Sequence, residues 1–136
     1  MRSPWRIPVY VIDDDAGMLD SMTFLMDSMG IPSAQFSDPN GFLRALAGLQ
    51  PGCILTDMRM PTMDGLEFLE ALHSRGIKWP VILMSAHLDG ETSAQALGAG
   101  VVDVIEKPFT AAGLKHVLER ACTQMDSAAH GGAAAD

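Results

Sequence analysis

The chain is poor in basic residues. Nine Lys and Arg face 17 Asp and Glu, for a formal charge of −8 over 136 residues. On average such a surface repels nucleic-acid phosphates and anionic lipid, and no basic stripe compensates. Cysteine is nearly absent. Cys53 and Cys122 stand far apart in sequence, without CxxC or Cys/His spacing. They read as small apolar residues in a reducing, cytoplasmic compartment, not as a disulfide or zinc site. Long apolar runs are missing too: none approaches the roughly 20 residues of a membrane span. The short run Ile7–Ile12 leads straight into three aspartates, unlike a signal peptide.

What is present fits one globular domain. Hydrophobic residues make up 48% and charged residues 19%. A chain this long buries roughly two-thirds of its unfolded surface without staples. Residues 1–125 are expected to form that domain. Residues 126–136, almost all Ala, Gly, Ser, His and Asp, read as a disordered tail or linker stub.

Short apolar runs alternate with segments of helical period. Ile7–Ile12, Ala34–Ser37, Gly52–Thr56, Pro80–Met84 and Val101–Ile105 read as strands. Their continuous apolar character suits a sheet covered on both faces. Between them, Met18, Met22, Leu25 and Met29 mark a first helix, ended by Gly30. Asp38-Pro39 starts a second, with Phe42, Leu43, Leu46 and Leu49 as its apolar face. Asp64 with Glu67 forms a capping box for a third. Asp89 caps a fourth, stopped by Gly98 and Gly100, and Thr110 caps a fifth carrying Leu114, Val117, Leu118 and Ala121. Five strand–helix units with right-handed crossovers predict a doubly wound α/β fold with strand order 2-1-3-4-5. Ligands of such sheets bind where the carboxyl ends of strands 1 and 3 meet.

Strand 1 ends in Asp13-Asp14-Asp15 and strand 3 in Asp57; strands 4 and 5 end in Ser85 and Lys107. All therefore face one sheet edge. Asp15 is explained as a cap for the first helix. Asp13, Asp14 and Asp57 exceed what a cap needs, because they come from two strands. Two carboxylates about 5 Å apart repel by roughly 3 kcal/mol at an effective dielectric near 20, so the cluster calls for a cation. Hard oxygen ligands select Mg²⁺ or Ca²⁺, and Mg²⁺ leaves room for a phosphate oxygen. Lys107 offsets the cluster and can contact an incoming phosphoryl group, and Ser85 can donate to it. An aspartate can itself be the nucleophile that forms an acyl phosphate.

At these residues the sequence resembles a receiver domain of the bacterial two-component response regulators, closest to the FixJ type. The resemblance is carried by Val11-Ile12-Asp13-Asp14-Asp15, by Thr56-Asp57-Met58-Arg59-Met60-Pro61-Thr62-Met63-Asp64-Gly65, by Ser85-Ala86-His87 and by Glu106-Lys107-Pro108-Phe109. It implies a flavodoxin-like fold and a phosphorylation-controlled switch. Asp57 would accept a phosphoryl group from a histidine kinase. Asp13, Asp14, Asp57 and the main-chain carbonyl of Arg59 would hold Mg²⁺, while Ser85 and Lys107 would bind the phosphoryl group. The Lys107–Pro108 bond would be cis, and Gly65 would begin a helix after a turn at Met60-Pro61. Arg59 and His87 occupy positions that tune phosphoryl lifetime in the family. Val104 stands where the family often has a switching aromatic ring, and valine has no comparable rotamer switch. The output would be a changed surface on the fourth helix, fifth strand and fifth helix, open to a homodimer partner or another signalling protein.

Two other readings share the fold. A Mg²⁺-dependent aspartyl-phosphate phosphatase needs a second carboxylate two residues after the nucleophile, where Arg59 stands. A flavin or nucleotide binder would put its phosphate loop on Asp13-Asp14-Asp15, and no G-x-x-x-x-G-K-[ST] is present. The chain is thus expected not to be an enzyme beyond its own phosphorylation and dephosphorylation. Leu19 and Met26 widen the methionine stripe of the first helix, which reads mainly as core and secondarily as a docking face for a kinase helix bundle. His73, His116 and His130 lack ligand-spaced partners. Trp5 and Trp79 precede strands and are expected to cover sheet edges or the sheet's lower end.

Overall fold

In a computed structural model of the chain, residues 7–125 are described in full and 126–135 by backbone alone. The elements run β1 (Val9–Ile12), α1 (Ala16–Ser28), β2 (Ser33–Phe36), α2 (Pro39–Ala45), β3 (Cys53–Asp57), α3 (Gly65–Ser74), β4 (Val81–Ser85), α4 (Gly90–Ala99), β5 (Asp103–Glu106) and α5 (Ala111–Ala135). The five strands are parallel in the order 2-1-3-4-5, as expected. The expected tail at 126–136 and Trp5 lie outside the fully described residues.

Alternation along the strands builds two cores. Val9, Val11, Cys53, Leu55, Ile82 and Met84 meet Met22 and Met26 of α1 and Leu114, Leu118 and Ala121 of α5. Tyr10, Ile12, Ile54 and Leu83 face the other way, onto Phe42 of α2, Phe68 and Leu72 of α3 and Ala96 of α4. Burying each large apolar side chain contributes about 1.5–3 kcal/mol. Trp79 stacks on Tyr10 at 5.9 Å near the start of β4, so it covers the sheet's lower end. Close approach of β1 and β3 requires Gly52, where a Cβ would lie 2.4 Å from the Pro8 carbonyl oxygen.

Caps set most boundaries. Asp15 accepts from Gly17 and Met18 at the start of α1. Asp64 and Glu67 form the reciprocal capping box on α3. Thr110 accepts from Gly113 at the start of α5. Several ends differ from the sequence reading. β1 begins at Val9, although the Pro8 carbonyl still accepts from Cys53. The second helical stretch is α2 followed by a 3₁₀ turn, Leu46–Gly48. β5 begins at Asp103, because the Val101 N–H is taken by the Ala96 carbonyl in the α4 cap at Gly100.

The methionine stripe divides. Met22 and Met26 are core, while Met18, Leu19, Leu25 and Met29 pack on it partly exposed. Periodicity did not single out Phe24, which projects 77% exposed from α1. Among the described residues, neither Cys53 nor Cys122 is in a disulfide. Among the described residues no helix is long and apolar enough to cross a membrane.

Candidate functional site

The parallel register places the carboxyl ends of β1, β3, β4 and β5 side by side. Ile12 pairs with Thr56, Asp57 with Met84, and Ser85 with Glu106. Residues just past these pairs therefore converge. Asp13, Asp14 and Asp57 each offer a carboxylate oxygen, and the three oxygens lie within 4.8 Å of one another. Asp13 is buried, Asp57 half-buried and Asp14 exposed.

Lys107 answers this charge. Its Nζ lies 2.9 Å from Asp13 Oδ2 and 3.5 Å from Asp57 Oδ1. The peptide bond to Pro108 is cis, as the resemblance implied. Asp13 Oδ1 accepts from the Asp15 N–H, so both Asp13 oxygens are engaged. Each retains a further lone pair for a cation. Burial pushes the Asp57 carboxyl up from its ordinary value; Lys107 opposes this and Asp13 reinforces it. The Lys107 ammonium is held above its ordinary value: burial disfavours it, but Asp13 and Asp57 more than compensate. The donor set is all oxygen, clustered and incompletely neutralised, so it fits a hard divalent cation.

The remaining site residues frame the cleft. Ser85 is buried at the end of β4; its Oγ donates to the His87 carbonyl at 3.0 Å and accepts from the His87 N–H. Arg59 and His87 are exposed and line, with Asp64, Ser85, Thr92 and Gln95, a cavity of ≈ 250 Å³. The loop after Asp57 is braced by Met58 donating to the Met84 carbonyl and Gly65 to the Met58 carbonyl. Gly65 begins α3 as expected, and a Cβ there would lie 2.7 Å from a Leu83 methyl. Val104 is partly buried against the α2–α4 core. A wider hollow of ≈ 690 Å³ lies at the other end of the sheet, beside His73, Lys78 and Trp79, away from the carboxylates. Sequence reasoning missed Glu106, whose carboxylate accepts from the Leu88 N–H at 3.1 Å. Its place beside Lys107 was the available signal, but the loop it reaches was not predictable.

This arrangement has close counterparts. The response regulator receiver domain matches residues 9–119. Transcriptional regulatory protein FixJ of Bradyrhizobium diazoefficiens is 42% identical over 121 residues, spanning 89% of this chain and 59% of FixJ. Transcriptional regulatory protein TdiR of Thauera aromatica is 38% identical over 101 residues, 74% of this chain and 44% of TdiR. The crystal structure of full-length FixJ from B. japonicum superposes with a TM-score of 0.84 at 41% identity, covering 92% of this chain and 62% of that one. The response regulator StyR superposes with a TM-score of 0.86 at 29% identity, covering 96% and 67%. The chain therefore spans about half the length of the curated relatives it matches. With the fold, the strand-end carboxylates and these likenesses in agreement, the chain belongs to the response regulator receiver domains, of the FixJ type, which act as phosphorylation switches.

Proposed function

We propose that Asp57 is the phosphoacceptor of this receiver. The observation that carries the reading is the clustering of Asp13, Asp14 and Asp57 beside the partly buried Lys107. A carboxylate oxygen of Asp57 attacks phosphorus, an Asp–O–P bond forms, and the bond to the donor breaks. A histidine kinase's phosphohistidine is the donor, so the leaving group is its imidazole nitrogen; small acyl phosphates can substitute. Lys107 and Ser85 hold the equatorial oxygens by charge and hydrogen bonding. Asp13, Asp14, Asp57 and the Arg59 carbonyl would hold Mg²⁺, which when bound neutralises charge developing on the phosphoryl oxygens. Lys107 already holds Asp13 and Asp57 close, which limits the rearrangement the reaction needs.

The switch reads out on α4, β5 and α5, where Arg120 reaches Asp103 at 3.6 Å. That face meets a second copy or another signalling protein. Arg59 and His87 tune phosphoryl lifetime. The chain works in the cytoplasm and contacts no nucleic acid itself. The kinase docks along α1, whose Met18 and Leu25 line, with Pro108 and Phe109, a hollow of ≈ 400 Å³ next to the cleft. The test is intact mass after acetyl phosphate, with and without Mg²⁺, beside Asp57→Asn. One added phosphoryl group that needs both the metal and Asp57 is expected. Unmodified wild type, or equal labelling of the variant, overturns the reading.

A further inference from the structure

The Ser85 hydroxyl has one proton, and it is already used. Oγ donates to the His87 carbonyl at 3.0 Å. Donation to a phosphoryl oxygen therefore requires that bond to break. The bond lies in the short loop Ala86–Leu88, whose far end is clasped by a side chain from the neighbouring strand. The Leu88 N–H donates to Glu106 Oε2 at 3.1 Å. The backbone closes the ring, with Lys107 N–H donating to the Ser85 carbonyl at 2.7 Å. Ser85, its loop, Glu106 and Lys107 thus form one circuit in which Glu106 supplies the side-chain link between strands.

We infer that Glu106 is a positioning residue for Ser85: it latches the β4–α4 loop in the arrangement that turns the Ser85 hydroxyl onto its own loop and away from an arriving phosphoryl group. Three further observations support this. Among the described residues no cation pairs with Glu106 within 4.0 Å, so its bond to Leu88 is charge-assisted yet exposed. Phosphorylation takes the Asp57 side chain from one negative charge to about two at the end of β3, two strands from Glu106, and the added charge opposes the Glu106 carboxylate. The loop feeds α4, where Ala96 is the one buried side chain and Gly90 and Gly98 contribute no packing, so the segment is lightly anchored. Val104, two residues earlier on β5, is β-branched and stiff, and offers no alternative side-chain arrangement to do this work.

The inference rests on Asp57 as phosphoacceptor and is tested separately from it. Affinity for beryllofluoride with Mg²⁺, and the rate of labelling by acetyl phosphate, are measured for wild type, Glu106→Ala and Glu106→Gln. Glu106→Ala is expected to bind about three- to tenfold tighter and to label faster, the span a net hydrogen bond commands. Glu106→Gln keeps an acceptor for Leu88 and stays closer to wild type. In a Ser85→Ala background the gain from Glu106→Ala falls below about twofold, because the latch acts through that hydroxyl. An unchanged or weaker Glu106→Ala overturns the latch, as does a Glu106→Gln equal to Glu106→Ala, which makes the effect simple charge removal. A gain that persists without Ser85 also overturns it. If wild type neither binds beryllofluoride nor labels, the phosphoacceptor reading itself fails and the latch with it.

Discussion

Replacing Asp57 by asparagine should stabilise the protein, because this carboxylate is held against opposing forces. At 3.5 Å from Lys107, Asp57 gains about 5 kcal/mol at an effective dielectric near 20. Its oxygen lies within 4.8 Å of the Asp13 carboxylate, which returns about 3.5 kcal/mol or more as repulsion. These nearly cancel, so the desolvation of this half-buried carboxylate, a fraction of the several kcal/mol a fully buried ion costs, decides the sign. The upward displacement of the Asp57 carboxyl, with burial its largest cause, agrees. Asp57→Asn removes the charge and keeps the shape, and Lys107 retains Asp13 as partner. A gain of about 1–2 kcal/mol, or about 3–8 °C in Tm for a chain of this size, is expected at pH 7 in chelator. The pH dependence follows from the direction of the shift. Below the ordinary value of 3.8 the carboxyl is protonated whether folded or not, and wild type bears no penalty. As pH rises through the raised folded value, wild type loses stability that the variant keeps. The advantage of Asp57→Asn should therefore shrink toward about pH 4. Mg²⁺ should raise the wild-type Tm more than the variant's and close the gap. Scanning calorimetry across pH and Mg²⁺ measures all three. A variant that melts below wild type in chelator at pH 7 refutes the reasoning, as does an advantage that Mg²⁺ leaves intact.

Three more outcomes are expected. Lys107→Met removes the cation bound to Asp13 and Asp57, so Mg²⁺ should bind about tenfold tighter by calorimetric titration while acetyl phosphate labelling collapses. Asp64→Ala breaks the capping box on α3 and should cost about 1 kcal/mol in urea unfolding; Glu67→Ala in that background should cost little more. Gly65→Ala puts a Cβ 2.7 Å from a Leu83 methyl and 3.1 Å from the Asp57 carbonyl oxygen, so it should cost about 1–3 kcal/mol and slow labelling, whereas Gly48→Ala, with open space around it, should do neither.

Much of this was legible along the chain, because the signals are local. Apolar runs of strand length, Asp or Thr caps and glycine stops fixed five strand–helix units, and handedness left few ways to order them. Strand ends were less legible, since hydrogen-bond competition sets them. Val101 looks like strand but spends its N–H on the α4 cap. The methionine stripe was ambiguous because period alone does not say how deep each side chain sits. Met26 is fully buried, whereas Met18 and Leu25 edge a hollow. Phe24 lies off the stripe, and only the fold shows that nothing covers it fully.

The sequence by itself determined which chemistry the sheet edge could carry. Asp13, Asp14, Asp57, Ser85 and Lys107 each follow an apolar strand, and parallel strands must bring such residues to one end. It could not determine how those groups divide their bonds. That Lys107 holds Asp13 more closely than Asp57, that the Ser85 proton is spent on His87, and that Glu106 reaches Leu88 were decided by the tertiary structure. Each is a contest among donors and acceptors a few ångströms apart, and only the positions of whole strands and loops set the winner.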